Sequence, residues 1–333
     1  MKSFIVNADY ESQLYHHKDY PKWRLAIEFF FLWIEPKSFL SSTHSYSLED
    51  IHFLRKSIGT EPLISLKTKP QEPIFWWGKL ENKDLERKIN SRLFIFDEAR
   101  RLRLLPSETM IINNDSELKE LPKYYILKTE GAMSGKGIIK RELSSKKKMI
   151  FPLIAEPLLN RLKDFSCYVF NFENKIIFYQ NIVDEHFQFR GTLLGEGNIT
   201  EIMESPQEEN LLESFPSKVK EIHDYILKLG ATGDFSIDSF LYSKNDRTFL
   251  YGLTEINYRK TMGWVTWKLK NRFNSPWVFL GLYPKKNSRD KILNFSKQVI
   301  LLSPEVCPFY WVLFLGDSKH EITELKIKFE STF

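Results

Sequence analysis

Residues 216–257 constrain the fold more than any other stretch of this 333-residue chain. Val219, Ile222, Ile226 and Leu229 recur at helical spacing, with Pro216 suited to the first turn and Gly230 to the position past the last. That pattern predicts a helix over 216–229. Two apolar runs follow, 235–242 and 248–257, joined by the turn-rich Ser-Lys-Asn-Asp-Arg of a short hairpin. Opposed residues in an antiparallel hairpin have a constant index sum, near 493 for a loop centred on Asp246 and Arg247, and Asp238 with Glu255 satisfies it. Their Cβ atoms are then expected about 5 Å apart. Asn257, two residues beyond Glu255, shares the face. Three hard oxygens converging there suit Mg²⁺ when it also keeps waters and phosphate oxygens as ligands. Solvated acids on an amphipathic sheet are the plainer alternative. Against it, Ile237, Phe240, Leu250 and Leu253 are large and apolar, and like charges opposed across strands call for a cation or a proton.

Upstream, residues 1–88 alternate strand-like and helix-like segments: 4–6, 23–33, 39–42, then a helix opened by Ser47 with Asp50 three residues on, a loose capping box. An α/β domain is expected, bounded by Pro70, Pro73 and the polar run 81–84, with Phe75-Trp76-Trp77-Gly78 between them. A helix over 91–105 stops at Pro106. Short strands are predicted at 110–112, 124–127, 137–139, 151–155, 167–170 and 175–179, followed by a polar excursion over 191–213.

Composition removes several classes. A net charge of +5 is too small, and its basic residues too scattered, for a dedicated nucleic-acid binder. Cys167 and Cys307 are too far apart in sequence for a zinc site and too few for a disulfide framework, so a reducing cytoplasm is the expected compartment; Cys167 itself reads as a small buried strand residue. No run reaches the roughly 20 apolar residues of a membrane span, and the N-terminus lacks a signal peptide's apolar core.

Between two of the predicted strands lies Gly131-Ala-Met-Ser-Gly-Lys-Gly137, whose glycines would let backbone N–H groups approach phosphate oxygens, although a plain turn has the same look. Lys128 ends the apolar run just before it and is placed to aim an ammonium at a phosphate.

The order of these parts resembles the ATP-grasp superfamily of ATP-dependent carboxylate-amine ligases, over about residues 90–263. Tyr124-Tyr-Ile-Leu-Lys-Thr-Glu-Gly-Ala-Met-Ser-Gly-Lys-Gly137 looks like that family's lysine strand and flexible loop, which implies that Lys128, Ser134, Gly135, Lys136 and Gly137 contact ATP phosphates. Ile154-Ala-Glu-Pro-Leu-Leu159 is similar to its adenine hinge, assigning Glu156 and Leu158 to the purine edge, and Asp164 leads the next strand where an acid binds the ribose. Asp238, Glu255 and Asn257 fall in the metal positions, and Arg259 where an arginine faces the transferred phosphate and the acyl phosphate. Arg92 stands at the place of the family's second phosphate-binding lysine, and Tyr258 where proline is common, a change expected to reshape the acceptor side.

The resemblance implies an α/β (α+β) ATP-grasp fold: an N-terminal α/β substrate domain over 1–88, and an ATP-grasp domain over 89–333 with a mobile lid at about 108–157, an antiparallel metal-binding sheet at about 158–275 and a C-terminal extension at about 276–333. The implied activity uses ATP and Mg²⁺ or Mn²⁺ to convert a carboxylate to an acyl phosphate that an amine then attacks. Arg190 suits a substrate carboxylate or the acyl phosphate, or equally a surface ion pair, and His186 is a weaker candidate proton acceptor. A small-molecule kinase on the same fold and a non-catalytic nucleotide-binding module are the competing readings. The expected partners are ATP, a carboxylate and an amine, with no nucleic acid and no membrane. A homodimer is left open.

Overall fold

The computed structural model describes residues 3–15, 21–42, 44–66, 74–78, 80–130, 138–146, 149–185, 188–285 and 289–332. The chain divides into two compact units, one formed by 1–81, 190–197 and 259–333, the other by 82–189 and 198–258. The segment 276–333, grouped by the sequence reading with the ATP-grasp domain, thus belongs with the N-terminal residues. None of the described helices is long and apolar enough to cross a membrane.

The first unit carries a parallel sheet in the order Ile64–Leu66, Phe39–Ser42, Ser3–Ile5, Ile74–Phe75. The Ser47 capping box forms as read, and Gly59 ends that helix at φ 80°, the left-handed conformation that glycine reaches without strain. An antiparallel set in the same unit runs Phe189–Leu194, Trp277–Pro284, Phe309–Gly316, Val299–Leu301. Aromatic side chains fill the core: Phe29, Phe30, Phe31, Trp33 and Trp311 are all nearly or fully buried, and Phe30 meets Trp311 edge-on at 5.0 Å between ring centroids. Arg272 donates to the carbonyls of Trp33 and Ile58, tying the helix Met262–Phe273 to the ends of two N-terminal helices. Much of the chain's aromatic surplus is therefore packing.

In the second unit an antiparallel sheet runs Arg247–Asn257, Phe235–Lys244, Asn160–Phe170, Lys175–Val183. One face of it, with Phe165, Cys167, Val169, Ile237, Leu241 and Leu253, packs on Val219, Ile222 and Ile226 of the helix Phe215–Lys228 and on Ile95 and Ala99 of the helix Arg92–Arg101. Burial pushes the Cys167 thiol far up, so it is an inert core group. A smaller antiparallel sheet has the order Met110–Ile112, Leu153–Pro157, Tyr125–Lys128, Ile138–Lys140, with a core of Ile112, Leu127, Leu153 and Ala155. The polar stretch 191–213 is more ordered than its composition suggests. It contains the end of one strand and the helix Pro206–Leu212, whose N-cap Ser205 accepts from Glu208 N–H and whose Glu208 takes the buried Lys163 ammonium at 2.8 Å.

Candidate active site

The hairpin turn fixes where the carboxylates land. Asn245 and Asp246 both sit at positive φ, 51° and 58°, making a two-residue turn with Lys244 opposite Arg247. The loop centre is therefore one residue earlier than the sequence reading placed it, and the index sum near the turn is 491. Between Asp238 and Phe240 the register shifts, and beyond the shift Asp238 lies opposite Glu255, the pairing expected. Hydrogen bonds from outside the ladder bridge the irregular stretch: Gly252 and Leu253 N–H donate to the Leu104 carbonyl, Ser239 Oγ donates to the Gly252 carbonyl and Thr254 Oγ1 to the Asp238 carbonyl. Gly252 suits this close approach, because a Cβ there would crowd Leu104 Cδ2 and the Phe215 ring.

Alternation sends Ser166, Asp238 and Phe240 to the sheet face opposite the helices. There Ser166 Oγ donates to Asp238 Oδ1 at 2.7 Å, Asn257 Nδ2 donates to Asp238 Oδ2 at 3.0 Å, and Asn181 Nδ2 donates to Ser166 Oγ at 2.6 Å. Asp238 is thus held from two flanking strands, by residues of which only Asn257 carried a sequence signal. Glu255 forms a close ion pair with Arg92, which also donates to the Thr129 carbonyl at 3.0 Å. Burial draws the Arg92 guanidinium down and Glu255 more than restores it, leaving it above its ordinary range.

Lys128 and Glu156 meet on the smaller sheet. Lys128 is 8% exposed, its Nζ lies 2.6 Å from Glu156 Oε1 and 5.2 Å from the centroid of the Tyr251 ring, and Tyr251 donates its hydroxyl to Glu156 Oε2 at 2.6 Å. Burial lowers the Lys128 ammonium, with Glu156 opposing, and burial beside Glu156 holds the Tyr251 hydroxyl well above its usual range, keeping it a donor. Glu156 is thereby turned to an interior network, and the Leu158 N–H donates to the Tyr124 carbonyl at 2.7 Å. Asp164 forms a close ion pair with Arg161, whose guanidinium lies 4.1 Å from the Phe240 ring centroid. Neither Arg161 nor Tyr251 was read from the sequence. Arg161 lies outside any motif, and Tyr251 stands opposite Phe240 on the turn side of the register shift.

In the first unit, Arg259 pairs closely with Glu11 and stacks over Trp77 at 5.5 Å, while Asn7 clasps the loop by donating to the Gly78 carbonyl and accepting from the Trp77 and Gly78 N–H groups. Arg190 is exposed on the strand Phe189–Leu194. Tyr258 is buried in the core of the second unit, and its hydroxyl accepts from Gly233 N–H at 2.5 Å. Ser134, Gly135, Lys136, Gly137 and His186 lie outside the described residues. Among the described residues no group of three His, Cys, Asp or Glu is placed to hold a metal ion. The expected metal set, with two carboxylates and an amide, supplies hard oxygens of the kind Mg²⁺ takes, though each carboxylate also has a protein partner.

The sequence matches no protein-family model and no curated protein. Solved structures do match. An N5-carboxyaminoimidazole ribonucleotide synthetase in complex with ADP aligns over 90% of this chain and 92% of its own, at TM-score 0.56 and 12% identity. The carboxyaminoimidazole ribonucleotide synthase of Aspergillus clavatus complexed with ATP aligns over 97% and 96%, at TM-score 0.53 and 11% identity. A phosphoribosylamine–glycine ligase from Thermotoga maritima aligns over 98% and 97%, at TM-score 0.50 and 13% identity. The chain has the mixed α/β fold of the ATP-grasp superfamily.

Proposed function

We propose that this chain is an ATP- and Mg²⁺-dependent ligase, with Mn²⁺ as an alternative ion, that activates a substrate carboxylate as an acyl phosphate and joins it to an amine of an amino acid, peptide or related small metabolite. The observation that carries the reading is the opposition of Asp238 and Glu255 on a sheet face that also presents Asn257. Two structural neighbours, crystallised with ADP and with ATP, and a third titled a ligase support it.

A carboxylate is a poor electrophile, so the protein's main task is to hold anions together and offset their charge. Asp238, Glu255 and Asn257 would hold the divalent ion, which when bound supplies charge neutralisation at the phosphate oxygens. For Glu255 to ligate, Arg92 exchanges that carboxylate for phosphate oxygen, a change that suits a guanidinium. Lys128 keeps an ammonium beside Glu156 in a buried setting and would donate to the phosphates; by the family resemblance, Ser134, Gly135, Lys136 and Gly137 contact them too. Glu156 and Leu158 border the base pocket and Asp164 serves the ribose. By the family resemblance, Arg259 and Arg190 take the carboxylate and the acyl phosphate.

ADP and phosphate release from the purified protein, with candidate acid and amine pairs supplied, tests the proposal. Release that needs both substrates, a product lacking phosphate and loss of turnover in an Asp238→Ala, Glu255→Ala double variant are expected. A product that retains phosphate identifies a kinase instead, and unchanged turnover in the double variant removes the site assignment.

A further inference from the structure

The expected base pocket is too small for a base, and one side chain that lines it, Arg161, belongs to no motif. Bordered by Ile126, Lys128, Ile138, Glu156, Leu159 and Phe240, the pocket has a volume of about 20 Å³, room for about one water. An adjoining cleft of about 690 Å³, lined by Leu158, Leu162, Asp164 and Asn181 among others, is within the roughly 300–1,000 Å³ of sites that hold small molecules. Arg161 lines both.

Most of the pocket wall is fixed. Ile126 pairs with Lys140 and Glu156, Ile138 pairs with Lys128, and Phe240 is buried against Tyr242 and Tyr251. The Arg161 side chain is different: long, unbranched, 24% exposed, and open on one side to the larger cleft. Its flat guanidinium covers the face of Phe240, the kind of surface on which a purine ring would also stack. Burial depresses the guanidinium to about 10, against the attraction of Glu156 and Asp238, so its present position is desolvated.

Resting on the nucleotide-binding reading above, we propose that Arg161 is a displaceable plug of the base pocket. On nucleotide binding its guanidinium leaves Phe240 for the adjoining cleft, the base takes its place on the ring, and Asp164 exchanges the guanidinium for the nucleotide. Arg161 thereby sets how tightly the base is held without touching the phosphates.

Titration calorimetry of the full chain with ADP and with inorganic tripolyphosphate tests this, comparing wild type with Arg161→Ala and Arg161→Gln. Tripolyphosphate carries no base, so it corrects for the lost positive charge. Relative to tripolyphosphate, ADP is expected to bind the variants roughly three- to thirtyfold more tightly, the range spanned by a cation on an aromatic face. Equal or weaker relative binding, with the wild type binding ADP normally, overturns the plug and leaves the nucleotide site standing. Failure of the wild type and both variants to bind ADP overturns both. Should the variants not fold, arginine-labelled NMR of the wild type decides: ADP is expected to shift the Arg161 Nε signal as it leaves the ring, and an unmoved signal overturns the plug.

Discussion

Asp238 stands directly opposite Ser166 on one side and Glu255 on the other, and the Ser166 hydroxyl donates to its carboxylate at 2.7 Å. In the metal site proposed above, Ser166 is thus a positioning residue for Asp238. Replacing it by Ala is expected to weaken Mn²⁺ binding in the presence of ADP by about 10-fold, at the low end of what such supporting groups contribute. Calorimetric Mn²⁺ titration measures it, and an unchanged affinity would show that Asn257 alone orients Asp238.

Lys128 gives a pH signature. Its ammonium loses its proton at a lower pH than an ordinary lysine, because burial outweighs the attraction of Glu156. Phosphate binding needs the charged form, so nucleotide affinity is expected to fall as pH rises through the lowered value, below the usual 10.5. In Lys128→Met the affinity is expected to be weaker and flat over that range. The stability linkage has the opposite sense: between the lowered value and 10.5 the unfolded chain holds more protons, so this group's contribution to stability increases with pH.

Removing Glu156 leaves a buried ammonium beside Tyr251 without its carboxylate. Glu156→Ala is expected to cost about 3–5 kcal/mol of stability. Tyr251→Phe, which takes one hydrogen bond from the same carboxylate, is expected to cost about 1–3 kcal/mol. Urea denaturation compares the two, and a larger loss in the phenylalanine variant would contradict the network.

Gly252→Ala places a methyl group against Leu104 and the Phe215 ring. A cost of about 1–3 kcal/mol is expected from overpacking. Because Gly252 N–H donates to the Leu104 carbonyl within the irregular stretch, weaker Mn²⁺ binding should accompany the lower melting temperature. A variant that melts early yet binds Mn²⁺ normally would separate the packing from the site.

The sequence made legible those features that depend on local spacing. The Phe215–Lys228 helix, the Ser47 capping box and the pairing of Asp238 with Glu255 all follow from period or turn position. The turn lies one residue before the centre that the spacing predicts, and the two-residue register shift restores the pairing. Ser166, Arg161 and Tyr251 went unread for a different reason. Each acts through a partner far along the chain, Asp238, Phe240 or Glu156, and no periodicity in one segment encodes which residue of another will face it. Glu11, the partner of Arg259, lies 248 positions away and was hidden in the same way. The grouping of 276–333 with the N-terminal segment depends on long-range sheet and helix packing, which apolar composition alone does not specify.

The register shift between Asp238 and Phe240 has a bearing on how this hairpin tolerates change. Asp238 takes its alignment from Ser166 on the neighbouring strand and from the hydrogen bonds around Gly252, both of them remote from the Asn245–Asp246 turn. The distal hairpin and the Asp238–Glu255 pair are therefore mechanically separate parts, and the tip can be rebuilt with a different loop while the two carboxylates stay in place.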